Sequence, residues 1–346
     1  MFVITESSEA DLSDFLAVNG VERYRAKQVF NWVYKKLKFN FSEFKNLPPD
    51  IISFLNVKCA VLAGEAVTCL VSKSDNTEKF LIKLEDKNFI ESVLLHSEDG
   101  RLTACLSTQV GCSVCCLFCA SGKVGFKRNL TTAEIVSQYL IMQKYAVSSG
   151  NIISNLVFMG IGEPFLNYKN LIAAIDLFTD PDAANIGSRK ITVSTAGVVP
   201  EIAKFAEYKK QIGLSISLHS AFDKERDILV PLNKKYNIAT LFKSVKEYIK
   251  KTNRAVTFEY VLIKGLNDTA EDIKALAGLL KGLRCNLNLI PYNPIEGLKF
   301  KPLSAAEVEK FANALIKSKV KAITRQKKGF DINSGCGQLK ASWAGK

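Results

Sequence analysis

The sequence predicts an α/β protein: a parallel sheet covered by helices, preceded by a helical segment and a small antiparallel sheet. Three observations predict it. From Ala104 onward, short apolar runs alternate with amphipathic helical stretches, which is the pattern of strands buried on both faces. Residues 65 to 96 instead show strand-like alternation broken by polar turns. Residues 9 to 57 carry helical spacing.

In order, the helical segment runs from about residue 9, Asp14 can cap a turn within it, and it continues through Arg25 to Leu37. There Val29, Phe30, Val33 and Leu37 share one face and Arg25, Lys27, Lys35, Lys36 and Lys38 the other. Leu47-Pro-Pro-Asp50 ends this unit or starts its next helix. The bases are an ordinary solvated face or a surface for phosphates. Three strands follow, at Val67–Val71, Lys79–Lys83 and Phe89–Leu95, with turns at Ser74-Asp-Asn76 and Glu85-Asp-Lys87. They are expected to bridge the helical unit to the main domain. Glu91 lies in the last strand. A carboxylate there is usually a polar-face residue; turned inward, its pKa would rise and it could exchange protons. Six main strands are expected at Ala104–Gln109, Asn155–Met159, Lys190–Ser194, Gly213–Leu218, Ala255–Leu262 and Asn286–Ile290, with helices at Thr132–Tyr145, Tyr168–Phe178, Val199–Tyr208, Ile238–Thr252 and Thr269–Leu280. Ala322–Arg325 adds a last strand. Periodicity alone allows a partial barrel or an open doubly wound sheet. The division expected is 1–60, a helical accessory domain; 61–97, a small linker sheet; and 98–346, the main domain.

The chain of 346 residues is 47% hydrophobic and 23% charged, enough for a sizeable core. Its net charge of +13 suits a polyanionic partner, or is merely that of a basic protein. No apolar run approaches the ~20 residues of a membrane span. The N-terminus lacks the pattern of a signal peptide. Nine cysteines, an odd and clustered set, point to a reducing compartment and a metal or redox role, and a cytoplasmic location is expected.

Five of those cysteines fall between Cys105 and Cys119. Cys112, Cys116 and Cys119 form a C-x3-C-x2-C set. Clusters are usually held by four cysteines, so three thiolates leave one iron of a [4Fe–4S] cluster open to an outside ligand. Zinc competes, since Cys112/Cys115 and Cys116/Cys119 both have ligand spacing, although structural zinc pairs normally come from two separated knuckles. Unusual residues recur where main strands end: Met159-Gly-Ile-Gly162-Glu163-Pro164, Val193-Ser194-Thr195-Ala-Gly197, Ser217-Leu218-His219-Ser220 and Pro291-Tyr292-Asn293-Pro294. Reacting groups in barrels of parallel strands sit at those ends. Near the C-terminus, Cys336 stands between Gly335 and Gly337, which argues against an inert thiol packed inside a helix or strand.

C-x3-C-x2-C after a short strand resembles the radical S-adenosylmethionine (SAM) superfamily. Cys105 seven residues ahead of Cys112, with Gly125-Phe-Lys-Arg-Asn-Leu130 behind Cys119, resembles its RlmN/Cfr branch of RNA adenine methyltransferases. Gly162-Glu163-Pro164 looks more like the RlmN side. The resemblance implies a radical SAM partial (β/α)6 barrel ending in a methyl-carrier loop. It implies a [4Fe–4S] cluster on Cys112, Cys116 and Cys119. It also implies SAM contacts from Gly162, Glu163, Ser194, Ser217, Leu218, His219 and Asn293. The implied reaction methylates carbon 2 of adenine, a carbon too poor in electrons to attack SAM itself, and so takes a radical route. Cys336 takes a methyl from one SAM; a second SAM is cleaved to a 5′-deoxyadenosyl radical, which activates that methyl; Cys105 then forms a disulfide with Cys336 and frees the product. Glu91 is the candidate acceptor of the carbon-2 proton. Its spacing to Cys105 is one residue longer than the family pattern, and Cys115 is an extra thiol able to compete with Cys116. The implied substrates are 23S rRNA near the peptidyl-transferase centre and tRNA beside the anticodon. The base is splayed from its stack, and an electron donor such as flavodoxin or ferredoxin serves a monomeric enzyme. Lys123, Lys127, Arg128, Lys234, Lys235, Lys327 and Lys328 are candidate RNA contacts by charge and position. The alternatives are a carbon-8 methyltransferase of the Cfr type, a radical SAM activase acting on a protein, and a zinc RNA-binding protein.

Overall fold

The computed structural model describes residues 1–340. The N-terminal helix, Glu9–Val18, is capped by Ser8, whose hydroxyl accepts from the Asp11 N–H while the Asp11 carboxylate accepts from the Ser8 N–H. Asp14 lies inside this helix and pairs with Arg23, so it caps no turn. A helix follows at Arg25–Phe30, continues as a wide turn over Asn31–Lys35, and buries Val29, Phe30 and Val33 as the spacing predicts. Pro49 starts the next helix, Pro49–Lys58. Of the basic face, Lys35 donates to the Pro181 and Ala183 carbonyls, both at 2.7 Å, and Lys36 lies over the Trp32 ring at 3.6 Å. These lysines tie the helical unit to itself and to the main domain.

One ten-stranded sheet dominates the molecule. Its strands are β1 Glu65–Val71, β2 Glu78–Lys83, β3 Phe89–His96, β4 Leu102–Cys105, β5 Asn155–Phe158, β6 Ile191–Thr195, β7 Gly213–Ser217, β8 Val256–Leu262, β9 Cys285–Pro291 and β10 Ala322–Thr324. Spatial order follows chain order throughout. The pairs from β1 to β4 are antiparallel and those from β4 to β10 parallel. A doubly wound sheet reverses its order at a switch point, and this one does not. The sheet curls instead: side chains of β3 and β10 line one cavity, and Gln326, just after β10, donates to Glu98 between β3 and β4 at 3.0 Å. The architecture is thus a partial barrel. The small antiparallel strands form one flank of it and are not a separate bridging sheet.

The five expected helices of the main domain form at Thr132–Ser148, Tyr168–Thr179, Val199–Glu207, Ile238–Thr252 and Ala270–Leu280. Three more among the described residues, the short Ala120–Val124, Asp223–Leu229 and Ala305–Lys317, go beyond those expected. The last had a legible signal, a Ser304/Glu307 capping box ahead of Val308, Phe311, Ala312 and Leu315.

Gln138 joins the first long helix to the start of the barrel. Its Oε1 accepts from the Ser107 N–H at 2.8 Å and the Ser92 hydroxyl at 2.7 Å, and its Nε2 donates to the Ser107 carbonyl at 3.0 Å. Gln138→Leu orphans these buried groups. It is expected to cost roughly 3 kcal/mol in urea unfolding, where a loss under ~0.5 kcal/mol would show the network to be dispensable.

Candidate active site

The cluster loop hangs between two short paired segments, Gln109–Val110 and Arg128–Asn129. Gly111 opens it with φ +74°, and a Cβ there would lie 1.6 Å from the Gly125 carbonyl oxygen, so only glycine fits. Inside the loop Val114 and Phe118 pack against Ala196, Leu229, Val261 and Tyr292, which seats the loop on the C-terminal ends of the strands. Cys112, Cys116 and Cys119 all line one cavity of about 160 Å³. Cys115 does not. Its backbone takes φ +55°, it is exposed, and its Sγ donates to the Cys112 carbonyl. Cys116 thus faces the cavity that Cys115 turns away from.

No three His, Cys, Asp or Glu side chains among the described residues are grouped to hold a single metal ion. A lone zinc would need its donors within ~2.3 Å of one point. Three thiols sharing a cavity wall without that convergence suit a larger inorganic group. Burial pushes Cys112 up to about 12, and burial with the neighbouring Cys119 and Cys112 pushes Cys116 well above its ordinary range. A metal cluster held by these thiols would displace those protons, and its charge would reverse the penalty.

The same cavity collects Gly162, Glu163, Ser194, Ser217, His219, Asn293 and Cys336. Glu163 is buried; its carboxylate accepts from the Phe165 N–H at 3.0 Å and the Ala196 N–H at 2.7 Å. Its own N–H donates to Gln109 at 2.9 Å. Burial holds its carboxyl at about 7. His219 adopts φ +61°, and its Nδ1 accepts from the Val261 N–H at 3.1 Å, which leaves the ring proton on Nε2. Burial and the nearby Arg226 lower its pKa to about 3, so the ring is neutral. Leu218 departs from expectation. Its side chain is in the core, its N–H donates to the Glu259 carbonyl and its own carbonyl accepts from Arg226.

Cys336 is exposed to the same cavity and to a second one of about 680 Å³, which it shares with Cys105. Burial raises Cys105 to about 12, with Cys336 as the next contribution; Cys336 is raised by its surroundings and by Glu259. The loop bearing Cys336 is tied to the cluster loop: the Ala120 N–H donates to the Gly337 carbonyl at 2.7 Å, and the Ser121 hydroxyl to the Leu339 carbonyl at 2.7 Å. Asn293 Nδ2 donates to the Cys336 carbonyl at 3.2 Å. All nine cysteines are free thiols. Glu91 borders neither cavity. It shares a face of β3 with Val93 and Leu95, which do, but its carboxylate pairs with Lys79 at 3.2 Å and accepts from the Lys340 N–H at 2.8 Å.

Sequence reasoning missed Arg226, buried behind the site. Its guanidinium donates to the carbonyls of Ala196, Ser217 and Leu218, lashing the ends of two adjacent strands together. It also missed Glu259 and Arg325, which line both cavities. A charged residue inside an apolar strand run, Thr257-Phe-Glu-Tyr260, was the available signal for Glu259. Of the candidate RNA contacts, Arg128 is committed to Asp86 and Glu134 at 2.7 Å each, and Lys127 to Asn88 at 2.8 Å; Lys327 and Lys328 line the larger cavity.

A partial barrel with a three-thiol loop over its strand ends, and a further thiol facing it from the tail, defines a radical SAM methyltransferase. Residues 106–280 match the radical SAM superfamily, and residues 4–61 match the ribosomal RNA large subunit methyltransferase N-terminal domain. The probable dual-specificity RNA methyltransferase RlmN of Clostridium perfringens strain 13 is 43% identical over 96% of this chain and 95% of its own. That of Thermotoga petrophila is 47% identical over 93% and 92%. The crystal structure of a radical SAM methyltransferase from Sphaerobacter thermophilus superposes with a TM-score of 0.97 at 38% identity, covering 99% of this chain and all of that one. The chain belongs to the radical SAM superfamily and, within it, to the RlmN family; its cofactors are a [4Fe–4S] cluster and SAM.

The Glu163 carboxyl binds its proton more tightly folded than unfolded. The stability this lends is complete below about pH 4 and is lost as pH rises through about 7. In the metal-free protein, Glu163→Gln is expected to shrink the pH 5 to pH 8 difference in urea-unfolding free energy by up to ~3 kcal/mol. An unchanged difference would contradict the buried, protonated carboxyl.

Proposed function

We propose that this protein methylates carbon 2 of an adenine in 23S rRNA and in tRNA, with Cys336 as the methyl carrier. The observation that carries the reading is the place of Cys336. It borders the cavity of Cys112, Cys116 and Cys119 on one side and the cavity of Cys105 on the other. A carrier must meet a methyl donor, a base and a resolving thiol in turn; of the two thiols that line both cavities, Cys119 and Cys336, only Cys336 is outside the C-x3-C-x2-C set.

When bound, the cluster with SAM supplies a 5′-deoxyadenosyl radical, a reagent strong enough to activate an otherwise inert methyl group. Cys112, Cys116 and Cys119 hold the cluster. Gly162, Glu163, Ser194, Ser217, His219 and Asn293 hold SAM, with Glu163 and the serine hydroxyls offering polar partners to its amine and ribose. The cavity of about 160 Å³ is smaller than the ~300 Å³ of typical small-ligand sites. The loop at Cys336 forms its partition from the larger cavity, so SAM takes room from the shared space as that loop shifts. Radical addition of the carbon on Cys336 leaves one unpaired electron on the ring. That electron would return to the cluster, and Glu91 takes the carbon-2 proton, which leaves a closed-shell thioether. Reaching Glu91 requires the Lys340 N–H to release the carboxylate. The Cys105 thiolate then attacks Cys336 Sγ: an S–S bond forms, the C–S bond breaks, and the released carbon takes a proton to complete the methyl.

Residues 1–60 are read as an RNA-binding accessory domain, 61–97 as its linking strands and 98–346 as the catalytic unit. The relatives are named as RNA methyltransferases, which supports RNA as substrate. A flavodoxin- or ferredoxin-type donor, a cytoplasmic setting and a monomeric state complete the reading. Among the described residues no helix is long and apolar enough to cross a membrane.

With anaerobically reconstituted protein, Cys336→Ala is expected to retain a brown cluster and cleavage of SAM to 5′-deoxyadenosine, but to lose RNA methylation by at least ~10³-fold. Nucleoside mass spectrometry of treated rRNA reads the product. Methylated RNA from the variant would sink the carrier role, and a carbon-8 product from the parent would move the reaction to the Cfr type. In Cys105→Ala the carrier is expected to stay covalently joined to RNA, seen as a protein–RNA band resistant to denaturation.

A further inference from the structure

The two cavities meet at Cys336, and the mechanism above uses only the smaller in detail. The larger runs along the barrel axis, because its wall takes both early and late residues of the same strands: Thr103 and Cys105 from β4, Asn155 and Val157 from β5. Closed barrels fill this space with layers of branched apolar side chains. Here the inward positions include Thr192, Ser215, Thr257 and Asn288, which are too small to fill it and polar enough to need partners. Its volume of about 680 Å³ lies within the ~300–1,000 Å³ of ligand-binding cavities. Arg101, Lys190, Lys327 and Lys328 surround the outer part, against Glu98 and Asp99, and Asp99 is already paired with Arg101 at 2.7 Å. The excess is cationic, the setting phosphates favour. At the inner end stand Cys105 and Cys336.

We infer that this cavity is the chamber that receives the target base after it leaves its stack, and that Glu259 and Asn288 read the edge of that base carrying N1 and the exocyclic amine. The inference rests on the reading that the substrate is an adenine in RNA. Glu259 is buried and borders both cavities, as Cys336 does. Its Oε1 accepts from Asn288 Nδ2 at 3.0 Å, across the paired strands β8 and β9. The pair presents an acidic and an amide group side by side. Adenine carbon 2 adjoins N1, so a base that turns carbon 2 toward Cys336 lays this edge along the same wall. The edge offers one acceptor, N1, and one donor, the amine. Hypoxanthine offers the reverse, with a proton on N1 and an oxygen at position 6, yet keeps the same reactive carbon–hydrogen bond. A site built for one pattern leaves polar groups unpaired with the other, which costs far more than a missing methyl group.

The test uses the reconstituted full chain and two RNAs, one with adenosine and one with inosine at the target position. Carbon-2 methylation is followed by nucleoside mass spectrometry, and cluster content with thermal melting monitors folding. The wild type is expected to prefer adenosine by at least ~10²-fold in kcat/KM. Glu259→Gln, which puts a donor where an acceptor stood, is expected to narrow that ratio at least tenfold. Thr257→Trp, which fills the chamber from a position outside the smaller cavity, is expected to lose RNA methylation while a methyl still appears on Cys336 by peptide mass. An unaltered ratio in Glu259→Gln overturns the assignment of the reader. If that variant does not fold, Thr257→Trp decides, and wild-type methylation by it overturns the chamber. A wild type that methylates neither RNA overturns the parent reading along with this one, whereas methylation with unaltered selectivity overturns this inference alone.

Discussion

The active arrangement depends on a tether between segments more than 200 residues apart. The Ala120 N–H and the Ser121 hydroxyl, just past the third cluster cysteine, each hold a carbonyl of the tail at 2.7 Å, on Gly337 and Leu339. Farther back, Asp331 accepts from the Ser72 hydroxyl and the Lys73 N–H, and the Gly329 N–H donates to Asp75. Each such bond is worth only about 1 kcal/mol net. Together they fix the path of the segment that carries Cys336. The glycines beside Cys336 serve space as well as motion: a Cβ on Gly335 would lie 2.6 Å from Asn293 Nδ2, the group that holds the Cys336 carbonyl.

Around that tether the site gathers groups that burial leaves poorly satisfied. Cys112 and Cys116 are held as thiols, Glu163 sits near neutrality and His219 is kept uncharged. Arg226, itself lowered to about 10 by burial, spends its donors on strand-end carbonyls and braces the wall. Perturbed groups of this kind concentrate where charge is to be handled. A cluster and a zwitterionic ligand supply the missing partners, and the scaffold holds the groups in place beforehand.

Much of this was legible in local pattern. Strand and helix periods located the main elements to within a few residues, because an apolar run bounded by polar turns has few other ways to bury itself. The cysteine spacing and the polar strand ends converge on one cavity, since parallel strands in register put their ends on one rim. What was not read was partly local and mostly long-range. The Ser8/Asp11 box that caps the first helix spans three residues and was legible. Leu218 goes to the core, its N–H tied to the Glu259 carbonyl on the next strand, and the chain then turns at His219, whose φ is +61°. Glu91 shares the cavity face of its strand, yet Lys79 and the Lys340 backbone cover it, and no window of sequence contains that contact. Arg226, Glu259 and Asn288 gain their meaning only from neighbours on other strands.

The antiparallel strands explain why the N-terminal half matters to a tail cysteine. They prolong the main sheet by hydrogen bonds from β4 through β3 to β2 and β1. The turn between β1 and β2 carries Ser72, Lys73 and Asp75, the groups that grip residues 329–331. One end of the loop bearing Cys336 is thus fixed to the flank of the barrel and the other to the three-cysteine loop, with Cys336 between them. A thiol at the partition of two cavities can serve both without crossing solvent. A thiol on either wall alone would face a single partner, and the chain would need a far larger motion to pass a carbon from one to the other.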